Sequence, residues 1–290
     1  HGLRWLRHRY PMAHPLDTGR SAVLHPDLET TAAELGVDAA AWRTLHRAVA
    51  GHPLESLENA TGPLLRIPPH PLLMAGFGAR ALWPADGLAR LAFRTEAARA
   101  LFAGSAAHSM LPLNHVFTSG FAVLFGGLGQ SLGWPVARGG TNAIIHALVQ
   151  QLALDNVVIH TNSPVGDLRE LPASDAVLLD LTPRQVLELA GTGIGGRYAS
   201  HLRRWKYGPG AFKVDYLLDG PIPWRDERTA HAGTVHVGGS LADVIQAERD
   251  VGRGKVPARP FVMLAQPSAA DESRAPAGHQ VIWSYAHVPN

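Results

Sequence analysis

The chain has 290 residues, of which 46% are hydrophobic and 17% charged, and its formal net charge is only +2. That length and balance allow a sizeable core and exclude a disordered chain, while acids interspersed among the basic residues, with no Lys/Arg run longer than two, argue against a nucleic-acid face. With no cysteine, a disulfide framework, a thiolate metal site and a cysteine nucleophile are excluded, and a cytoplasmic location fits.

The opening "HGLRWLRHRYP" carries no initiator Met and no secretory signal, and "WSYAHVPN" closes the chain on an aromatic, strand-like run; the expectation is an internal piece of something longer. From His25 to about Ala107 apolar residues recur at helical spacing in "LETTAAELG", "DAAAWRTLHRAVAG", "LESLENA" and "TEAARALFAGSAAHSM". Asp27, Asp38 and Thr95 stand as N-caps, with Gly36, Gly51 and Gly104 near helix ends. No Asp, Glu, Lys or Arg lies between Arg99 and Arg138. The glycines, Gln130 and Pro135 in that stretch favour a buried helix beside an apolar cavity over a membrane span, and peripheral membrane contact stays open.

Beyond Asn156 short β-branched runs alternate with helical ones. "NVVIHT" and "DAVLLDL" are predicted as strands, "PRQVLELAG" as a helix starting at Thr182-Pro183, "AFKVDYLL", "GTVHVGG", "RPFVMLAQP" and "QVIWSYAHV" as strands, and "LADVIQAERDVGRG" as a helix. The fold class is therefore α/β of mixed α+β type. The expected segments are 1–132, mainly helical and on the substrate side; 133–192, a Rossmann-like middle piece; and 193–290, a substrate-domain sheet.

Several motifs fail on context. "GTGIGG", Gly191 to Gly196, spells a dinucleotide fingerprint with Asp215 nineteen residues on, but the fingerprint needs a strand before it and "TPRQVLELA" reads as a helix. In "FAVLFGGLGQSLGWP" Leu132 takes the third glycine position. There is no G-x-S-x-G, no H-E-x-x-H, no P-loop and no metal-ligand spacing, and His108 with His115, or His231 with His236, read as core or solvent-facing histidines. No catalytic residue is identified, and any chemistry is expected from a cofactor.

"WPVARGGTNAIIHALVQQLALDNVVIHTNSPVGDLRELPASDAVLLDLTPRQVLELAG" resembles the middle segment of FAD-dependent oxidoreductases of the phytoene-desaturase and amine-oxidase superfamily. The resemblance rests on a double glycine opening a helix (Gly139-Gly140), a "V-x-I-x-T" strand (Val157 to Thr161) and a "P-V-x-x-L" strand (Pro164-Val165 to Leu168). Downstream, "RWKYGPGAFKVDYLLDGPIPW", "GTVHVGGSLADVIQAERDVGRG" and the C-terminal run look like phytoene-dehydrogenase-related NAD(P)/FAD-dependent oxidoreductases, a bacterial group similar to the animal pyridine nucleotide-disulphide oxidoreductase domain-containing protein 2.

The resemblance implies an FAD site to which Arg138, Gly139, Gly140, Pro164 and Val165 contribute, the glycines permitting close approach while a separate N-terminal motif holds the pyrophosphate. It also implies hydride transfer from a lipophilic or unsaturated small molecule, with Phe121, Lys213, Asp215, Tyr216 and His236 as substrate-side candidates. Where the family carries Gly-Gly before the "P-V" strand, Asp155-Asn156 makes the turn here, and Asn tolerates a left-handed backbone. Unpaired strand edges leave an oligomer open. The alternative is a non-enzymatic module on the same scaffold that binds an apolar ligand, a membrane surface or a protein.

Overall fold

A computed structural model of the chain describes residues 2–63, 66–191 and 193–290. Two compact units emerge, one made of His1–Leu148 with Pro209–Asn290 and the other of Val149–Gly208.

The first unit opens with strands β1 (Trp5–Leu6), β2 (Tyr10–Pro15) and β3 (Ser21–Leu24). Helices α1 (Leu28–Glu34), α2 (Ala39–Gly51), α3 (Pro53–Thr61), α4 (Pro71–Ala81), α5 (Ala85–Ala92), α6 (Glu96–Ala107) and α7 (Thr118–Gly129) follow, then strand β4 (Val136–Ala137) and helix α8 (Asn142–Leu154), within which the boundary between the units falls. Asp27 caps α1 through the Thr30 amide and Thr95 caps α6 through the Ala98 amide, as expected. Asp38 precedes α2, but its buried carboxylate makes no cap there. It accepts instead from the amides of Arg94 (2.7 Å) and Thr95 (2.8 Å) and from the Thr95 hydroxyl (2.5 Å), tying the start of α2 to the start of α6. Gly104 stands in the last turn of α6, near its end as expected, where two histidine rings leave no room for a side chain.

The charge-free stretch becomes α6 and α7, packed together and buried over most of their length, and no helix among the described residues is long and apolar enough to cross a membrane. Trp42, Phe93, Leu101 and Phe102 fill the core between them and α2.

The first unit is completed by β5 (Gly210–Leu218), β6 (Ala232–Val237), α11 (Leu241–Gly252), β7 (Val262–Ala265) and β8 (Gln280–Val288), α11 being numbered after α9 (Pro183–Ala190) and α10 (Gly196–Arg203) of the other unit. Six strands form a mixed sheet in the order β3-β2-β6-β7-β8-β5, in which only β2 and β6 run parallel. One face lies under α6 and α11, and the other carries Ala13, Val23 and Val235, which cluster with Tyr10 and Ala232. The four strands expected near the C-terminus are all present. The sheet's N-terminal strands β2 and β3, which sequence reasoning missed, occupy its opposite side.

Helices α9 (Pro183–Ala190) and α10 (Gly196–Arg203) belong to the Val149–Gly208 unit. Thr182 and Gln185 form a capping box at the start of α9, at the expected position. The residues before Gly191 are therefore helical, which removes the context of the dinucleotide motif, whose Thr192 lies outside the described residues. Asn156 takes the left-handed turn (φ +56°) that ends α8, with the Val157 amide returning to the Leu152 carbonyl at 3.0 Å.

The strands expected at Val157–Thr161 and around Val177 do not form. A strand needs a ladder partner, and among the described residues of this unit there is none; Val158 and Leu178 stand exposed. Pro164 and Val165 lie in the same irregular stretch, ahead of a single 3-10 turn at Leu168–Glu170 capped by Asp167.

Candidate functional site

The double glycine forms a turn pinned at both ends. Ala137 pairs with Trp5 and the Arg138 amide donates to the Arg4 carbonyl (2.9 Å), so β1 and β4 fix the entry; the Gly140 amide then closes onto the Ala137 carbonyl (3.0 Å). Both glycines adopt positive φ, +81° and +104°, a region L-residues avoid. A Cβ on Gly140 would meet the Arg274 guanidinium at 3.1 Å, whereas one on Gly139 would meet nothing within 4 Å. Close approach is thus realised at Gly140 by the chain itself and is open at Gly139, beside the exposed Arg138.

The Gly139 amide is already engaged, donating to Asp271 Oδ2 at 2.7 Å. Burial pushes the Asp271 carboxyl up, but the Ser273 hydroxyl and the Gly139 and Ser273 amides hold it below its ordinary range, so it is a carboxylate at neutral pH. Pro164 and Val165 belong to the other unit.

The substrate-side candidates separate into three places. Phe121, on α7, lines a cavity of about 420 Å³ together with Met74, Phe77, Phe117 and Leu124. Lys213 and Asp215 sit on edge strand β5 and pair with each other, as alternation predicts, with Lys213 Nζ 5.5 Å from the Trp283 ring centre. Tyr216 lies opposite Ile282, on the other face from Lys213. No residue of β5 lines the Phe121 cavity.

His236 is buried and heads a histidine cluster. In register His236 faces Met263, Met263 faces Tyr285, and Tyr285 faces Lys213, so all four share the face beneath α6 and α11. Its Nε2 lies 2.9 Å from Nε2 of His108, the C-cap of α6, whose ring packs against Phe125 and Trp134. His14 of β2 lies edge-on to His236 at 6.3 Å and donates from Nε2 to the Gly239 carbonyl at 2.7 Å. That fixes its neutral tautomer, leaving Nδ1 a bare acceptor.

Phe261 separates His236 from His287, whose Nδ1 donates to both oxygens of the buried Glu248 (2.8 and 3.0 Å). Burial lowers His14 and His108 to about 4 and His236 well below its ordinary value, the last also through the neighbouring His108 and His14. Burial raises Tyr285, with Glu248 adding to it.

Sequence reasoning paired His236 with His231 and His108 with His115; the fold pairs His236 with His108 across 128 positions, a separation at which no local spacing signals contact. It missed His14, His287 and Glu248, which lie on three different elements. Among the described residues no group of three or more His, Cys, Asp or Glu is arranged to hold a metal ion.

No family model matches the chain, and no curated protein matches it. Among solved structures it is similar to the PF1083 protein from Pyrococcus furiosus, with a TM-score of 0.50 and 15% identity over 98% of this chain and 60% of that one. It also matches a mutant of putrescine oxidase made in a structure-based redesign of cofactor binding, with a TM-score of 0.48 and 14% identity over 99% of this chain and 60% of that one. The chain thus spans about three fifths of the length of either structure, and the likeness to the PF1083 protein is one of fold. The mixed α/β class expected from the sequence is the class observed.

Proposed function

We propose that this chain is the substrate-side part and middle segment of an FAD-dependent oxidoreductase acting on a lipophilic or unsaturated small molecule. The observation that carries the proposal is the Arg138-Gly139-Gly140 turn, the motif on which the sequence resemblance begins. It is held at positive φ by two backbone pairings, with open space over Gly139 and a cation beside it. The open space over Gly139 and the Arg138 cation favour a dinucleotide's approach, whereas the Gly139 amide is not free to receive it. Arg138 would meet its negative charge, while Asp271 orients the turn and occupies the Gly139 amide. The chemistry such a group supplies when bound is acceptance of a hydride equivalent. The chain itself contributes apolar walls that bind and orient the substrate and exclude water.

The test is flavin content of the protein expressed from its complete reading frame, read by absorbance and by fluorescence quenching on FAD titration. Bound FAD that is lost on Gly139→Val, with the fold retained by circular dichroism, supports the proposal; a protein that takes up no flavin overturns it.

One observation favours the non-enzymatic alternative: a carboxylate already lies on the Gly139 amide, where an anion would be repelled. A flavin-free protein that still binds an apolar probe would decide for that reading.

A further inference from the structure

The cavity beside Phe121 is bounded by α3, α4, α7 and, between α3 and α4, by Gly62, Pro63, Arg66 and Pro68. Its volume of about 420 Å³ is within the range of small-molecule sites, about 300–1,000 Å³. Met74, Phe77, Phe117, Phe121 and Leu124 give it apolar walls. Of the polar groups at its edge, the Asn59 side chain donates to the His70 carbonyl (3.0 Å) and accepts from the His70 amide (3.1 Å), and Arg66 donates through Nη2 to the Glu58 carbonyl (2.7 Å). On α7, Gly120 lets α4 come near, since a Cβ there would stand 3.0 Å from that of Ala81 and 3.6 Å from the Phe77 ring. A larger residue would push the cavity's two helical walls apart.

A second, independent feature is the backbone of Phe117, the residue before α7. It lies in the left-handed region (φ +70°, ψ −9°), where a bulky aromatic residue is a strained outlier. Thr118 fixes this geometry from the next position, its hydroxyl held to the His115 carbonyl (2.7 Å) and accepting the Ala85 amide (2.9 Å). In a core position burial of the ring would offset the strain. Here the ring is 57% exposed, on the rim of the cavity. The strain thus holds an aromatic residue on the cavity's lining that the chain itself leaves uncovered.

We propose that this cavity is a binding site for an apolar small molecule, with Phe117 as its rim and Phe121 as its wall. The proposal goes beyond the flavin reading and does not rest on it, because the cavity is lined by α3, α4, α7, the residue preceding α7 and the segment joining α3 to α4, none of which belongs to the Gly139 turn. Its lining selects a ligand that enters as hydrocarbon or an aromatic ring.

The test uses the chain free of flavin and the neutral probe N-phenyl-1-naphthylamine, followed by fluorescence enhancement and displaced by 1-dodecanol. One saturable equivalent is expected. Phe117→Gly removes ring and strain together, so the variant should be at least as stable in urea yet bind the probe at least tenfold more weakly. Phe121→Asp should weaken binding similarly, with Phe121→Ala replacing it should the aspartate variant fail to fold, whereas Leu91→Asp, 72% exposed and outside the cavity lining, should leave binding unchanged. No saturable binding by the unaltered chain, or unchanged affinity in both the Phe117 and Phe121 variants, overturns the proposal. FAD titration of the same samples reads the flavin proposal separately.

Discussion

Nδ1 of the buried His14 lies 2.9 Å from the point that a Cβ on Gly104 would occupy, and Nδ1 of His236 lies closer still. Neither nitrogen has a hydrogen-bond partner, so both rings rest on the bare backbone of α6. The same arrangement recurs where His46 Nε2 meets Gly126 (2.6 Å) and where His8 Nδ1 meets Gly233 (2.5 Å). Buried histidines and glycines are here complementary parts of one packing scheme, the missing side chain making room for the ring.

Gly104→Ala is therefore expected to destabilise the chain although alanine is the better helix former. Propensity gains about 1 kcal/mol, while overpacking against rings anchored in β2 and β6 costs about 1–3 kcal/mol. Gly87→Ala in α5, where a Cβ meets nothing within 4 Å, isolates the propensity gain. Urea titration of the two variants should move in opposite directions. A stabilised Gly104→Ala would show that α6 can shift away from the sheet.

The pH dependence of stability follows from the same burial. His14, His46 and His108 are lowered to about 4 and His236 well below its ordinary 6.5, so the folded chain keeps them neutral where the unfolded chain protonates them. Between about pH 6.5 and 4 the unfolded state binds more protons. Stability is thus full above pH 6.5 and is lost as pH falls toward 4, each such group adding up to about 1.4 kcal/mol per pH unit to the slope. Urea midpoints at pH 7.5, 6 and 5 should fall steeply; equal midpoints would mean the rings are solvated.

How much of this was legible in the sequence depends on range. Thr182 with Gln185, Asp27, Thr95 and the left-handed Asn156 announce themselves because a cap or turn is satisfied within a few residues. The strands from Gly210 onward were legible because alternation and β-branching coincide with real ladders. "NVVIHT" is likewise β-branched but has no ladder partner among the described residues, so composition overstated it. The Arg138-Gly139-Gly140 turn was visible as a double glycine, whereas Asp271 on the Gly139 amide, 132 positions away, was not. His236 was visible only as a lone histidine, because its neighbours arrive from β2 and α6 through the topology of the sheet.

Asp38 supplies a prediction on the helical side. Its carboxylate, 1% exposed, satisfies the amides of Arg94 and Thr95 and the Thr95 hydroxyl. Asp38→Ala leaves buried donors without a partner and should cost about 1–3 kcal/mol or more, since one partner is charged. Asp38→Asn keeps an acceptor and should lose less. Equal losses in urea denaturation would assign the effect to packing and not to hydrogen bonding.

Glu248 and His287 are each 1% exposed at the side chain and face each other between α11 and β8. Two groups taken from water into the core hold each other's polarity, so removing one strands the other. Glu248→Leu should leave His287 Nδ1–H without an acceptor and cost about 3–5 kcal/mol where the pair is ionised, nearer 1–3 kcal/mol where it is a neutral hydrogen bond. The double variant Glu248→Leu, His287→Phe replaces both by apolar groups of similar volume and should be far less destabilised than the sum of the singles. A double-mutant cycle in urea reads the coupling directly. Additive losses would mean that the pair is held apart in solution, and that Phe261 and Tyr285 alone position the His287 ring.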